Sequence, residues 1–313
     1  MSVLRVGSLA TLVLLQSFVI APAFGASLNG FDLSGALIPA DEVFHGGPAK
    51  DGIPAIDEPR FDPAADADWL NDGDRVMGVN LFGIKKAYPL RILNWHEIVN
   101  DRFDKQPVVV SYCPLCGSGL VMSARSGGRD LNFGVSGLLY NSDMLLYDRE
   151  TESLWSQMLK LAISGDMKGT TLKLLNSQNT TWKDWRNTHP DTLVLSKETG
   201  YSRNYSRNPY AGYKKQRGLY FPVSGVDPRY HPKQATLGVE LNGKFKAYPY
   251  VELDRAGGRV TEEFAGHNLV VRYDRASQSA WIETPEGKRI PTIESFWFAW
   301  MAFHPDSDVF EAN

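Results

Sequence analysis

Two cysteines, Cys113 and Cys116, are the only ones among 313 residues, and they sit in one turn, Tyr112-Cys113-Pro114-Leu115-Cys116-Gly117. This spacing serves three chemistries. A thiolate in such a turn can have a lowered pKa and cycle through a disulfide. A Cys-Pro-x-Cys-Gly knuckle can hold a metal, because the glycine lets the backbone approach the sulfurs. A structural disulfide is the third. Closing a loop of about four residues gains only ~2 kcal/mol, against roughly 4 to 5 for a long loop, so a staple here would stabilise little.

A tetrahedral site asks for about four ligands. No second cysteine pair exists, so the missing ligands would come from His96, His45, His231, Asp143 or a second chain. Soft sulfur ligands would favour a transition metal such as copper, zinc or iron. His189 and His304 each follow a Trp and precede Pro-Asp, which reads as a repeated structural role. A thioredoxin-like scaffold would start a helix at the pair. Here Gly117-Ser118-Gly119 leads into Leu120-Val121-Met122, a turn into a strand. Tyr140-Asn141-Ser142-Asp143 is either a plain hairpin turn or a pocket wall in which Tyr140, Asn141 and Asp143 bind a substrate beside catalytic cysteines. Residues 197–233 interleave eight Lys and Arg with six Tyr. They read as a solvated connector whose tyrosines pack over the domain, or as a surface for an anionic envelope polymer or substrate. There is no Gly-x-Ser-x-Gly elbow, phosphate-binding Gly-Lys-Ser/Thr loop or His-Glu-x-x-His, so hydrolase, nucleotide and zinc-protease readings drop.

Elements must position these groups. Val108-Val109-Val110-Ser111-Tyr112 is a β-branched strand that delivers Cys113, and residues 90–100 have helical spacing. The organising signal is self-similarity. Gly78-Val79-Asn80-Leu81 with Lys86-Ala87-Tyr88-Pro89 matches Gly238-Val239-Glu240-Leu241 with Lys246-Ala247-Tyr248-Pro249 at an offset of 160. Each reads as a hairpin turned at Gly83 or Gly243 and closed by Pro. Tyr147-Asp148-Arg149 with Ser153 and Trp155 matches Tyr273-Asp274-Arg275 with Ser279 and Trp281 at 126. Trp185 and His189-Pro190-Asp191 match Trp300 and His304-Pro305-Asp306 at 115. The shrinking offset places most of the extra length of the first copy around the cysteines. The expected fold is α+β and β-rich: two related units from an internal duplication, the first elaborated by a cysteine-bearing β insertion.

The boundaries follow. Residues 1–25 have a basic Arg5, an apolar run and small residues at Ala23 and Gly25, which is a secretory signal peptide. No later apolar run reaches the roughly 18 residues of a membrane span, so no anchor would remain after cleavage, and the chain would be secreted or periplasmic. Residues 26–75 form an extended arm, 76–196 the first unit, 197–235 the basic connector and 236–313 the second unit. A net charge of −3 and ordinary globular composition (43% hydrophobic, 22% charged) exclude disordered and fibrous classes. They give no sign of nucleic-acid binding.

Asn94-Trp95-His96-Glu97-Ile98-Val99-Asn100-Asp101, the Tyr112 to Gly117 turn, Gly137 to Asp143 and Tyr147 to Gln157 together resemble the DUF3179 family of exported bacterial and archaeal proteins. The likeness runs from about residue 45 to 311. It implies that the cysteine turn and the Tyr-Asn-Ser-Asp segment belong to the family pattern, and it implies no activity. Three functions stand: thiol–disulfide redox chemistry with an envelope redox partner or small molecule, transition-metal binding, and a non-catalytic envelope module with a structural disulfide.

Overall fold

A computed structural model describes residues 27–312; the signal-peptide reading of residues 1–25 lies outside the described residues. The chain enters through a hairpin, β1 (Ser27–Leu28) and β2 (Phe31–Asp32), then lays β3 (Val43–His45) and β4 (Phe61–Pro63) along the edges of later sheets. Strands β5 (Arg75–Leu81) and β6 (Ile84–Pro89) form a hairpin turned at Gly83, whose φ is +80°. Pro89 closes β6 and leads into α1 (Leu90–His96). β7 (Ile98–Phe103), β8 (Gln106–Cys113) and β9 (Ser118–Ser123) follow as an antiparallel meander. A ribbon of β10 (Arg125–Ser126) and β11 (Arg129–Asp130) leads to four antiparallel strands: β12 (Phe133–Tyr140), β13 (Asp143–Asp148), β14 (Leu154–Ser156) and β15 (Leu161–Ser164). β16 (Gln178–Thr181), α2 (Trp182–Thr188) and β17 (Leu193–Leu195) precede the connector. Beyond it come β18 (Ala235–Leu241), β19 (Lys244–Pro249), α3 (Tyr250–Arg255), β20 (Arg259–Phe264), β21 (His267–Asp274), β22 (Ser279–Glu283), β23 (Arg289–Ile290), β24 (Ile293–Phe296), α4 (Trp297–Phe303) and β25 (Asp308–Val309). The protein is β-rich, with several sheets. No helix among the described residues is long and apolar enough to cross a membrane.

One arrangement occurs twice. The order β16-β5-β6-β17 is repeated as β24-β18-β19-β25, with the last pair parallel in both. The physical tie is a Trp laid on a Gly. A Cβ at Gly78 would stand 2.2 Å from the Trp185 ring, and one at Gly238 would stand 2.0 Å from the Trp300 ring. Only glycine lets the helix seat so closely. Both indoles donate to a hydroxyl seven residues on, Trp185 to Thr192 and Trp300 to Ser307, each at 2.9 Å. His189 and His304 lie against those indoles at 4.2 and 4.4 Å between ring centres, a packing role.

The middle block behaves differently. β20-β21-β22 follow α3 as β7-β8-β9 follow α1. Thus the Tyr273-Asp274 strand end takes the place held by Tyr112-Cys113: Cys113 faces Ser118 and Asp274 faces Ser279. The likeness to Tyr147-Asp148 is one of turn chemistry, since Asp148 accepts from Thr151 N and Asp274 from Ala276 N. Strands β10 to β15 have no match in the strand order of the second half, and the cysteine turn lies outside them. The two halves interlock. β9 pairs with β24 through Gly119 and Glu294, which makes one seven-stranded sheet, β25-β19-β18-β24-β9-β8-β7. Gln178 on β16 donates to Ser279 on β22 at 2.8 Å. The core under this seam holds Cys113, Cys116, Met144, Trp155, Met158, Phe296 and Trp297.

Candidate functional site

The β-branched run of β8 carries Cys113 to the seam, and the Pro114-Leu115 turn returns the chain to β9. Gly117 has a φ of +59°, and a Cβ there would meet the Phe296 ring at 2.8 Å. Cys116 O accepts from Phe296 N at 2.7 Å, which ties the turn to the start of α4. Opposite stands the β12–β13 hairpin. Asn141 and Ser142 both have positive φ (51° and 62°), the tight turn that suits a strand pair of this twist. That turn aims the Ser142 carbonyl at both thiols: Cys116 Sγ donates to it at 3.3 Å and Cys113 Sγ lies at 3.8 Å. It also places Asp143 first on β13. One ligand atom each from Cys113, Cys116 and Asp143 all lie within 4.8 Å of one another, and all three residues are buried. Both cysteines are free thiols.

A buried polar chain orients Asp143. Ser111 Oγ accepts from Gln157 Nε2 at 3.0 Å, Gln157 Oε1 accepts from Ser118 Oγ at 2.6 Å, and Ser118 Oγ lies 3.4 Å from Asp143 Oδ1. Met158 N donates to Asp143 Oδ2 at 3.1 Å. No Lys or Arg pairs with Asp143 among the described residues. Burial pushes the Asp143 carboxyl up to about 7, against the pull of the Met158 and Met144 amides. Burial, with Cys113 and Asp143 beside it, pushes the Cys116 thiol up. Glu97 is a second buried acid. Burial and then the Asp143 charge raise it to about 8, and Tyr210 hydrogen-bonds to it. Glu97 sits at the end of α1 with φ 60° and ψ −31°, a conformation L residues seldom adopt. The cluster is acidic and buried, and no Lys or Arg pairs with its carboxylates among the described residues.

The connector closes over it. Ser142 Oγ donates to Phe221 O at 2.8 Å, and Asn141 Oδ1 accepts from Ser224 N at 2.7 Å. Lys233, almost fully buried, donates to Gln216 O (2.6 Å) and Gly218 O (2.5 Å) and stands 4.0 Å over the Tyr213 ring. Tyr205 and Tyr213 are buried, so part of the connector packs as its tyrosines led us to expect. Above the cysteine turn lies a cleft of about 460 Å³, walled by both halves and the connector, with Tyr112, Pro114, Gly117 and Tyr213 at its base.

Of the residues singled out from sequence, Cys113, Cys116 and Asp143 meet. Asn141 is a strap to the connector and not a wall beside the sulfurs. Tyr140 does not join them: it pairs with Asp143 across the hairpin, but its ring packs edge-on against Phe303, 5.6 Å away between ring centres. His96 is not at the sulfurs. Its Nδ1 bonds Pro54 O at 2.8 Å and its Nε2 bonds Tyr205 OH at 2.7 Å, so neither nitrogen is free. His45 and His231 accept from the backbone of Gly47 and Lys233. The sequence reading missed the Ser142 carbonyl, Ser118, Gln157, Glu97, Tyr210 and Tyr213. Gln157 closes the Tyr147–Gln157 motif, and that position was its one signal. The Ser142 carbonyl had none, because a backbone acceptor has no residue type.

A family model described as "Protein of unknown function (DUF3179)" matches residues 50–307. No curated protein and no solved structure matches the chain.

Proposed function

The chain belongs to the DUF3179 family, and on that premise we propose that it is an exported metal-binding protein that holds one soft transition-metal ion through Cys113, Cys116 and Asp143. The carrying observation is the meeting of two thiols and a carboxylate within 4.8 Å in a buried cluster whose carboxylate pairs with no Lys or Arg among the described residues. Ser142 O supports it as a fourth donor. With metal–sulfur bonds of about 2.3 Å and metal–oxygen bonds of about 2.1 Å, a tetrahedral site puts sulfur and oxygen about 3.6 Å apart. The separations from Ser142 O, 3.3 and 3.8 Å, straddle that value. Burying acidic donors without a partner is costly; a bound cation would remove the cost. The thiols also lack what a redox thiolate needs. No Lys or Arg pairs with Asp143 beside them among the described residues, and burial pushes the Cys116 thiol up.

Export rests on residues 1–25 and on the family resemblance. The repeated sheet order, with its paired Gly–Trp contacts, supports descent of the two halves from one duplicated unit. A thiol–disulfide function is the second reading, favoured by two sulfurs on one turn facing one carbonyl.

The test is metal content per chain by mass spectrometry, on protein purified without chelators, beside a Cys113→Ser, Cys116→Ser double variant. About one equivalent of zinc, copper or iron, absent from the variant, is the expected result. No metal in either sample, together with an oxidised Cys113–Cys116 pair, overturns it. The reduction potential of that pair then separates a cycling disulfide from a structural one, which commonly lies below about −300 mV.

A further inference from the structure

We infer that the cleft above the cysteine turn is a binding site for a small polyhydroxylated anion, an acidic monosaccharide or a sugar phosphate. The inference rests on the cleft and stands apart from the metal reading.

Charge is the first argument. Four cations line the cleft, Arg75, Arg91, Arg207 and Lys214, against two carboxylates, Asp74 and Glu294. Two of the cations are committed. Arg91 pairs with Asp74 at 2.6 Å, and Arg75 faces Glu294 at 3.8 Å while bonding Ser277 O and Gln278 O. The carboxylates are equally committed, since Glu294 also accepts from Tyr250 OH at 2.6 Å. Arg207 and Lys214 have no ion-pair partner among the described residues, and both come from the connector. Two uncommitted cations at the rim of a concave site are an anion-recognition pair. Arginine supplies a planar, two-pronged donor that suits a carboxylate or phosphate.

The second argument is orphaned polar atoms. Asn179 Oδ1 and Tyr213 OH are buried and have no hydrogen-bond partner among the described residues. Both residues line the cleft. A buried, unsatisfied polar atom costs of order 1–3 kcal/mol and asks for an explanation. One acceptor and one phenol at the base of a cleft are suited to ligand hydroxyls. Asn94 and Asn208 extend that polar wall, and Tyr112 and Tyr210 supply aromatic surface with a polar tip. A cleft of about 460 Å³ is within the range of small-ligand sites, roughly 300–1,000 Å³. Anion, hydroxyls and a ring-sized apolar surface together describe an acidic sugar better than an inorganic ion or a fatty acid.

The experiment is calorimetric titration of the purified protein at low salt with glucuronate, glucose 6-phosphate and glucose, repeated on an Arg207→Ala, Lys214→Ala variant. Both residues are exposed, and equal thermal unfolding of the variant shows that its fold is kept. We expect saturable binding of glucuronate, glucose 6-phosphate or both, at least tenfold weaker in the variant and weakened by added salt. Which of the two binds names the source of the charge. Glucose binding as tightly as the anions, no binding by any of the three, or binding unchanged in the variant would each overturn the inference. Repeating the titration on the Cys113→Ser, Cys116→Ser variant separates the two readings. Sugar binding retained in that variant shows that the cleft acts without the metal centre; sugar binding lost there, with the fold kept, would overturn the cleft as a site of its own.

Discussion

If Asp143 is a metal ligand that is half-protonated near neutral pH, its contribution to affinity must itself depend on pH. The perturbation is Asp143→Asn, which keeps the shape and removes the ionisable oxygen. Metal ligands must be deprotonated to bind. With the carboxyl at about 7, the protein at pH 6 gives up a factor of about 11 in affinity to strip that proton, and at pH 8 only about 1.1. The asparagine variant carries no such factor, and relieving the Cys116 thiol of Asp143 changes the absolute ratio of the two constants, not this proton-stripping factor. The ratio of the two dissociation constants should therefore shrink about tenfold between pH 8 and pH 6, whatever its absolute size. Competition of zinc against a chromophoric chelator of known pH dependence measures both constants. The sign also applies to the metal-free protein. Asp143 is raised above its unfolded value of roughly 4, so its contribution to stability is complete below pH 4 and is lost as pH rises through about 7. Metal-free protein should then gain most from added zinc on the alkaline side. A ratio that stays constant from pH 6 to pH 8 would refute Asp143 as a proton-losing ligand.

Three further outcomes follow from the same contacts. Gln157→Leu breaks the Ser111–Gln157–Ser118 chain behind Asp143, so zinc should bind about 10- to 100-fold more weakly with both thiols still titratable by alkylation; unchanged affinity would show that the chain orients nothing. Gly238→Ala and Gly78→Ala drive a methyl into Trp300 and Trp185, and each should cost about 1–3 kcal/mol in urea unfolding, whereas Gly243→Ala has open space around it and loses only the ease of a φ of +72°. His304, stacked on Phe245 at 4.1 Å, is held neutral down to about 3 by burial and then by Lys160. The unfolded chain takes up its proton near 6.5, so stability should fall as pH drops from about 6.5 toward 3, by up to about 1.4 kcal/mol per pH unit from this residue; His304→Phe should flatten that slope in unfolding curves at pH 7, 5 and 4.

Much of this was legible in the residues because local chemistry dictated it. The Lys-Ala-Tyr-Pro hairpins, the β-branched approach to Cys113 and the packing role of His189 and His304 all follow from turn residues, branching and repeated neighbours. Asp143 was legible because it sits beside Asn and Ser in a hairpin turn. What failed depended on direction or on partners distant in sequence. Tyr140 is three residues from Asp143 and pairs with it across the hairpin, yet its ring packs edge-on against Phe303. His96 has a sequence position that suggests a ligand, but Pro54 and Tyr205, 42 and 109 residues away, occupy both nitrogens. The extra length of the first half reads from sequence as lying around the cysteines because Asp148 and Asp274 each cap their own turn. Strand order, which sequence similarity does not report, shifts it to β10–β15.

That shift explains why one half carries a site and the other does not. At the strand end where β21 presents Asp274, the side chain caps its own turn through Ala276 N and Ser277 Oγ. At the corresponding end of β8, the Cys113 sulfur lies beside that of Cys116 and faces the Ser142 carbonyl across the seam. Ser142 and Asp143 belong to the β12–β13 hairpin, which has no counterpart in the second half. Strands β10 to β15 therefore do not bear the cysteines; their β12–β13 turn supplies the carboxylate and the carbonyl that face them. The site arises where an element present in both halves meets one present in only the first. A variant lacking the β12–β13 turn contacts should thus lose the metal and retain both thiols.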